Sequence, residues 1–169
     1  VSEKSLIYNN KFGNKFEIST RVKARLKRYV QSNESDPEAG GVLLGRFIIN
    51  TDDVVVDRIS VPMEGDERSR NRYFRSAKPH QDLIRKVWER SEGKCNYLGE
   101  WHTHPVPDPS PSIIDLLQWK KKLLFDKYDS DFLFFAIIGI NHIAVWQGYR
   151  RSPVIEKLKQ IRPKKSYSL

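Results

Sequence analysis

YLGEWHTHPVPDPSPSIID, residues 97–115, carries the densest chemistry in this 169-residue chain. Its opening alternates and is rich in aromatics, which predicts a strand over Tyr97–Thr103. Side chains two apart on a strand share a face, so His102 and His104 project the same way, about 7 Å apart along the chain. Two such imidazoles can converge on one ion at Zn–N distances of about 2.0–2.1 Å. Asp115, beyond the prolines, can add a third ligand from the start of the next helix. Two nitrogens and one oxygen with no thiolate describe a site with an open fourth position, the catalytic rather than the structural kind of zinc. The plain alternative is a chance His-x-His on a polar strand edge. Ser112 and Asp115 at suitable offsets, and an acid at Glu38, argue against it.

Glu38…His102-Thr103-His104…Ser112…Asp115 resembles the E…H-x-H-x7-S-x2-D signature of the JAMM metalloproteases, the catalytic members of the JAB1/MPN (Mov34/MPN/PAD-1) family, with no position missing. PEAGGVLLG, residues 37–45, resembles the segment that carries the family's catalytic glutamate. YLGEWHTHP with PSxxD is similar to small stand-alone bacterial JAB peptidases of CBASS anti-phage and ubiquitin-like conjugation operons. The resemblance implies an α+β, cytidine-deaminase-like MPN domain over nearly the whole chain. It also implies one zinc ion on His102, His104 and Asp115, with Glu38 as proton shuttle and Ser112 as oxyanion donor. The implied reaction is amide cleavage at the extended C-terminal tail of a protein substrate, either a ubiquitin-like protein or a nucleotidyltransferase conjugated in the same way. Such a tail can add to a sheet edge through main-chain hydrogen bonds. The Gly40–Gly45 strand and the Pro62–Phe74 loop are the expected cradle, and the expected setting is bacterial anti-phage defence.

Bulk properties agree with a single domain, 1–169, with residues 162–169 expected to fray. A chain this long buries about two-thirds of its unfolded surface. With 38% hydrophobic and 30% charged residues, it has no apolar run near the ~20 residues of a membrane span, and no membrane partner is expected. Val1–Asn10 is polar and lacks the apolar core of a signal peptide. The single cysteine, Cys95, argues against a disulfide framework and suits a reducing cytoplasm; it reads as an inert strand-edge thiol. The net charge of +9 suggests an acidic partner surface. Nucleic acid is the weaker option, because no reading helix or stacking motif is present.

Leu6–Ile18 predicts an opening hairpin. A helix capped by Ser19 or Thr20 should run to about Gln31, with Val22, Leu26, Tyr29 and Val30 at helical spacing. Gly40–Asn50 and Val54–Val61 read as strands, Pro62–Asn71 as a charged, irregular, mobile and substrate-facing loop, and Arg72–Arg75 as a short strand. Pro79–Ser91 predicts a helix with Leu83, Val87 and Trp88 inward and His80 on the surface. Prolines at 105, 107, 109 and 111 stiffen the next loop. Ser112 then reads as an N-cap with Asp115 at N3, on a helix through Ile114, Leu117 and Leu124 to near Lys127. Asp131–Ile140 and Ile143–Tyr149 read as strands joined by a turn that holds His142 in a structural role, and Val154–Ile161 as a closing strand or helix. This mixture predicts a curved, mostly antiparallel sheet flanked by helices.

Several roles stay open at this level. Glu100 shares the histidine face, two residues upstream, and rivals Glu38 as base or serves as hydrogen-bond partner to a ligand. Ser112 can cap the helix and also donate to an oxyanion. Trp101 and Thr103 face the core, and Asp108 is expected in solvent. The competing functions are a non-catalytic MPN scaffold and a basic binding module. A zinc deaminase would need a Pro-Cys-x-x-Cys that is absent.

Overall fold

The computed structural model describes residues 4–162. Leu6–Asn9 (β1) and Lys15–Ile18 (β2) form the opening hairpin. It turns at Gly13, whose φ of +85° glycine adopts without strain. In Thr20–Lys27 (α1), the Ser19 side chain accepts the Val22 N–H, and Val22 and Leu26 are buried. The helix stops short of the expected Gln31. The Arg28 and Tyr29 N–H groups bond carbonyls three residues back, and Gln31 is drawn inward to bond the Asp36 and Arg70 carbonyls.

Gly40–Phe47 (β3) and Val54–Ile59 (β4) pair antiparallel. Pro62–Asn71, expected to be irregular, contributes Glu67–Ser69 (β5), which pairs with Arg72–Phe74 (β6) in a separate hairpin. The reason lies in one side chain. Asp66 accepts the N–H groups of Met63 and Ser76 and so fastens both ends of the segment.

Ala77–Arg90 (α2) packs Leu83, Ile84 and Val87 against β3. Two expectations for this helix need correcting. Trp88 is half exposed rather than inward, and His80 is buried to 0% exposure rather than on the surface. His80 shares the face of Leu83 and Val87 and finds polar partners beneath it in Ser60 and Asp66.

Asn96–Thr103 (β7) leads through the proline loop into Ile113–Phe125 (α3). This helix buries Trp119 and Leu123, with Leu116 packed beside them, while Ile114, Leu117 and Leu124 stay exposed. Phe132–Ile138 (β8) and Ile143–Tyr149 (β9) follow as expected. The Val154–Ile161 segment is strand, split into Ile155–Lys157 (β10) and Lys159–Ile161 (β11). Arg162 lies outside any element, and the remainder of the tail expected to fray falls outside the described residues.

The large sheet runs β10-β9-β8-β7-β3-β4-β2-β1-β11. It is mostly antiparallel as expected, with parallel pairs at β2–β4 and β7–β8. Its two outermost strands are neighbours in the chain, separated by Leu158 alone. The sheet therefore rolls up on itself, and this one segment closes both borders. Buried Leu158 donates its N–H to Val145 O at 2.8 Å, and Tyr8 Oη donates to Ile143 O at 2.6 Å across the roll. Phe16, Leu43, Val56, Trp101, Phe134 and Val145 fill the interior together with Val22 and Leu26 of α1. Outside the roll, α3 covers Phe135, Ile137 and Trp146, and α2 covers Val42 and Leu44. Among the described residues, no helix is long and apolar enough to cross a membrane.

Leu158→Ala is expected to cost about 2–5 kcal/mol, the range for truncating a buried leucine. Denaturant unfolding measures it, and a loss well under 1 kcal/mol would mean that the closing segment lies outside the cooperative unit.

Candidate active site

The alternation of β7 divides its end cleanly. Trp101 and Thr103 turn inward, at 1% and 0% exposure, while Glu100 and His102 turn outward. His104 follows the last strand residue, and its N–H donates to Ile138 O at 3.1 Å, extending the ladder to β8. The imidazoles face each other with Nε2 atoms 3.1 Å apart. The His102 ring meets the edge of Trp119, which is itself stacked on Phe135.

Asp115 arrives from α3 through a capping box. Its N–H donates to Ser112 Oγ at 3.1 Å, and its Oδ2 accepts the Ser112 N–H at 2.7 Å. The same carboxylate lies between the rings, with Oδ1 3.3 Å from His102 Nε2 and Oδ2 3.3 Å from His104 Nε2. The loop that delivers it is strapped down as well as proline-stiffened: Val106 O accepts from Ile140 N and Pro107 O from Asn141 N. Burial works against ionising Asp115, but its hydrogen bonds to both histidines and the Ser112 amide prevail and hold it well below the usual carboxylate range. Burial likewise opposes a charge on His104, yet Asp115 outweighs it and raises that imidazole.

These separations suit a small tetrahedral ion. Arms of about 2.0–2.1 Å give a tetrahedron edges of about 3.3 Å. The two Nε2 atoms are 3.1 Å apart and each stands 3.3 Å from a different oxygen of Asp115, and none of these donors is a thiolate. The chemistry of these residues therefore fits zinc.

Glu38 approaches from the other side, on the stretch just before β3. A carboxylate oxygen lies within 4.8 Å of both histidine donor atoms. Its own N–H donates to Ser69 O at 2.7 Å, and its carbonyl accepts Arg68 Nε at 2.8 Å. Next to it, Ala39 N–H donates to Thr103 Oγ1, which in turn donates to Gln31 Oε1. Burial pushes the Glu38 carboxyl up to about 6, against the pull of the histidines. A carboxyl poised there can take up and release a proton near neutral pH.

These groups open into a cleft of about 980 Å³. Asn71–Arg75 form one wall, Ile114, Gln118 and Lys122 of α3 the other, and Glu100, Trp101 and His102 lie along its floor. Of the expected cradle, the Asn71–Phe74 end of the loop thus lines the cleft. Along the Gly40–Gly45 strand, β7 pairs the whole stretch and β4 pairs from Leu43 onward, and the Tyr73 ring occupies the space above Gly40. Glu100 lies on the expected face, and the partners of its carboxylate are two cations rather than the histidines. Its Oε1 accepts Arg75 Nη2 at 2.6 Å and pairs with Lys122 Nζ at 3.0 Å. Arg75, Lys122 and Tyr73 carry no local sequence signal of their place in the cleft. Asp108 is exposed and faces His142, and burial lifts the Cys95 thiol to about 11, which disfavours the thiolate.

Comparison with known proteins gives consistent matches. A family model for prokaryotic homologs of the JAB domain matches residues 22–152. A CD-NTase/cGAS isopeptidase of Vibrio cholerae is 33% identical over 95% of this chain and 98% of its own length. One from Escherichia coli is 32% identical over 92% and 94%. The solution structure of a protein from Desulfitobacterium hafniense superposes with a TM-score of 0.53 at 23% identity, covering 83% of this chain and 87% of that one, and so shares the fold.

The Glu100 cluster has a direct test. Glu100→Gln leaves Arg75 and Lys122 side by side without their shared anion, and a loss of about 2 kcal/mol in unfolding free energy is expected, reduced from the fully buried case because the three groups keep some exposure. Zinc content should be unchanged, since Glu100 touches no donor atom.

Proposed function

This chain belongs to the family of prokaryotic homologs of the JAB domain, and on that premise we propose that it is a zinc-dependent isopeptidase that cuts the amide joining the C-terminal tail of a conjugated protein to its target. The observation that carries this reading is the meeting of His102, His104 and Asp115 at the head of a cleft, with Glu38 beside them. His102 Nε2, His104 Nε2 and an Asp115 oxygen would hold the ion, which supplies Lewis acidity and a nucleophile at neutral pH when bound.

The chain's own groups do the rest. Glu38 accepts a proton from the attacking water and returns it to the departing amine nitrogen as the C–N bond breaks. Ser112 Oγ already accepts the Asp115 N–H, so its hydrogen is free to donate to the carbonyl oxygen as that atom gains charge. The tail lies extended between Asn71–Arg75 and α3. The names of the similar proteins point to a CD-NTase as the conjugated protein, with a ubiquitin-like protein as the related alternative. Reversal of that conjugation is the expected role, within anti-phage defence of the CBASS kind and in a reducing cytoplasm. The net charge of +9 favours a partner with an acidic face.

Metal analysis and cleavage separate the roles. Asp115→Ala should fall far below one bound zinc, whereas Glu38→Gln should keep its zinc and lose at least about 10²-fold in rate. Ser112→Ala should lose about 10²–10³-fold in rate and about 1 kcal/mol of stability. The substrate is a fusion carrying a nucleotidyltransferase C-terminal tail, read by product mass. Chelator-resistant cleavage, or full turnover by Glu38→Gln, would remove this mechanism.

A further inference from the structure

Away from the donor trio, three buried side chains line up in an order familiar from nucleophilic hydrolases. Ser60 Oγ lies 2.7 Å from His80 Nδ1, and His80 Nε2 lies 3.0 Å from Asp66 Oδ2. A nucleophile must meet its substrate, and here none can. Ser60 is 1% exposed, and the side chains of His80 and Asp66 are 0% exposed. The contacts instead form one buried chain. Ser60 Oγ also accepts the Val42 N–H at 2.7 Å, and the His80 ring bridges Ser60 to Asp66. Asp66 also accepts the N–H groups of Met63 and Ser76 and the Tyr73 hydroxyl at 2.8 Å. Burial alone would raise its carboxyl, but these donors prevail and hold it below its ordinary value. The result is a rigid line of hydrogen bonds from β3 at the centre of the sheet to the β5–β6 hairpin.

What hangs on that hairpin is Glu38. Both backbone polar groups of Glu38 are held by β5: Ser69 O accepts its N–H, and Arg68 Nε donates to its carbonyl. On β6, the Tyr73 ring, steered by its bond to Asp66, covers Gly40, which pairs with His102 in the sheet register. The donor trio comes from the end of β7, the residue after it and the start of α3, and meets this set through the pairing of His102 with Gly40. We propose that the Ser60–His80–Asp66 chain is a positioning device for the reaction: it fixes the hairpin so that Glu38 is held at the working distance from the histidine donors. Its catalytic consequence rests on the isopeptidase reading above; its structural part does not.

A double-mutant cycle tests it on the full chain. Asp66→Asn should lower kcat about 10- to 100-fold with zinc content retained and KM changed less than kcat. Placed in a Glu38→Gln background, the same substitution should change the residual rate by no more than about 2-fold, because the residue it acts through is already disabled. Equal fold losses in both backgrounds would overturn the proposal. Amide hydrogen exchange gives a readout independent of turnover. Asp66→Asn should speed exchange of the Glu38 amide while β8 and β9 stay protected, and unchanged Glu38 exchange would overturn the proposal even in an active enzyme. If the wild-type chain cleaves nothing yet Glu38 exchange responds, the isopeptidase reading fails and the positioning stands. Should Asp66→Asn not fold, Tyr73→Phe, which deletes one hydroxyl, carries the same two readouts with a smaller loss of about 3- to 10-fold.

Discussion

A carboxylate lodged between two imidazoles is costly to desolvate unless donors fix it from behind, and the Asp115 cap supplies that fixing. The Ser112 N–H bonds Oδ2 at 2.7 Å while the two oxygens stand 3.3 Å from the histidine Nε2 atoms. The first turn of α3 and the donor geometry are therefore one arrangement. Neither can shift without the other, because the same oxygen closes the helix start and faces His104. The strapped proline loop and the Trp119 packing on Phe135 transmit this restraint to β8, so the helix arrives at a set distance from the strand that carries the histidines.

Glu38 is brought in by a separate set of contacts. Thr103 couples the two halves: its N–H donates to Ala39 O, its Oγ1 accepts the Ala39 N–H, and its hydroxyl donates to Gln31. The residue between the two histidines thus stitches the Glu38 stretch to the donor strand from the buried side. This arrangement gives the alternation of β7 a double use, with donors on one face and fasteners on the other. Glu100 completes the outer face by joining Arg75 at the start of α2 to Lys122 on α3, which spans the cleft with charge where the inner face spans it with hydrogen bonds.

Local rules sufficed for the residues whose geometry is local. Period two put His102 and His104 on one face, and the Ser112–Asp115 spacing announced a capping box, so the trio could be named from spacing and resemblance together. Glu38 needed the resemblance, because nothing in its own neighbourhood distinguishes it from other acids. The burial of His80 depends on Ser60 and Asp66, which reach it only through the fold, so helical spacing alone does not disclose it. The Pro62–Asn71 stretch looked irregular for a related reason: a charged composition is also what a hairpin shows when a single aspartate gathers its amides. The apolar run at Gly40–Gly45 has the same pattern whether a strand lies at an edge or in the middle of a sheet, and only the observed pairing on both sides decides it. On α3, Ile114, Leu117 and Leu124 satisfy helical spacing as well as Leu116, Trp119 and Leu123 do, and β8 selects the second set.

The rolled sheet carries one more consequence. Because β10 and β11 flank Leu158 and seal opposite borders, damage to that short segment bares two ribbons of unpaired amides at once. Such ribbons are templates on which other chains can stack. Protection against aggregation is therefore concentrated in a few residues far from the chemistry, and substitutions there would surface as insoluble protein before any change in catalysis could be seen.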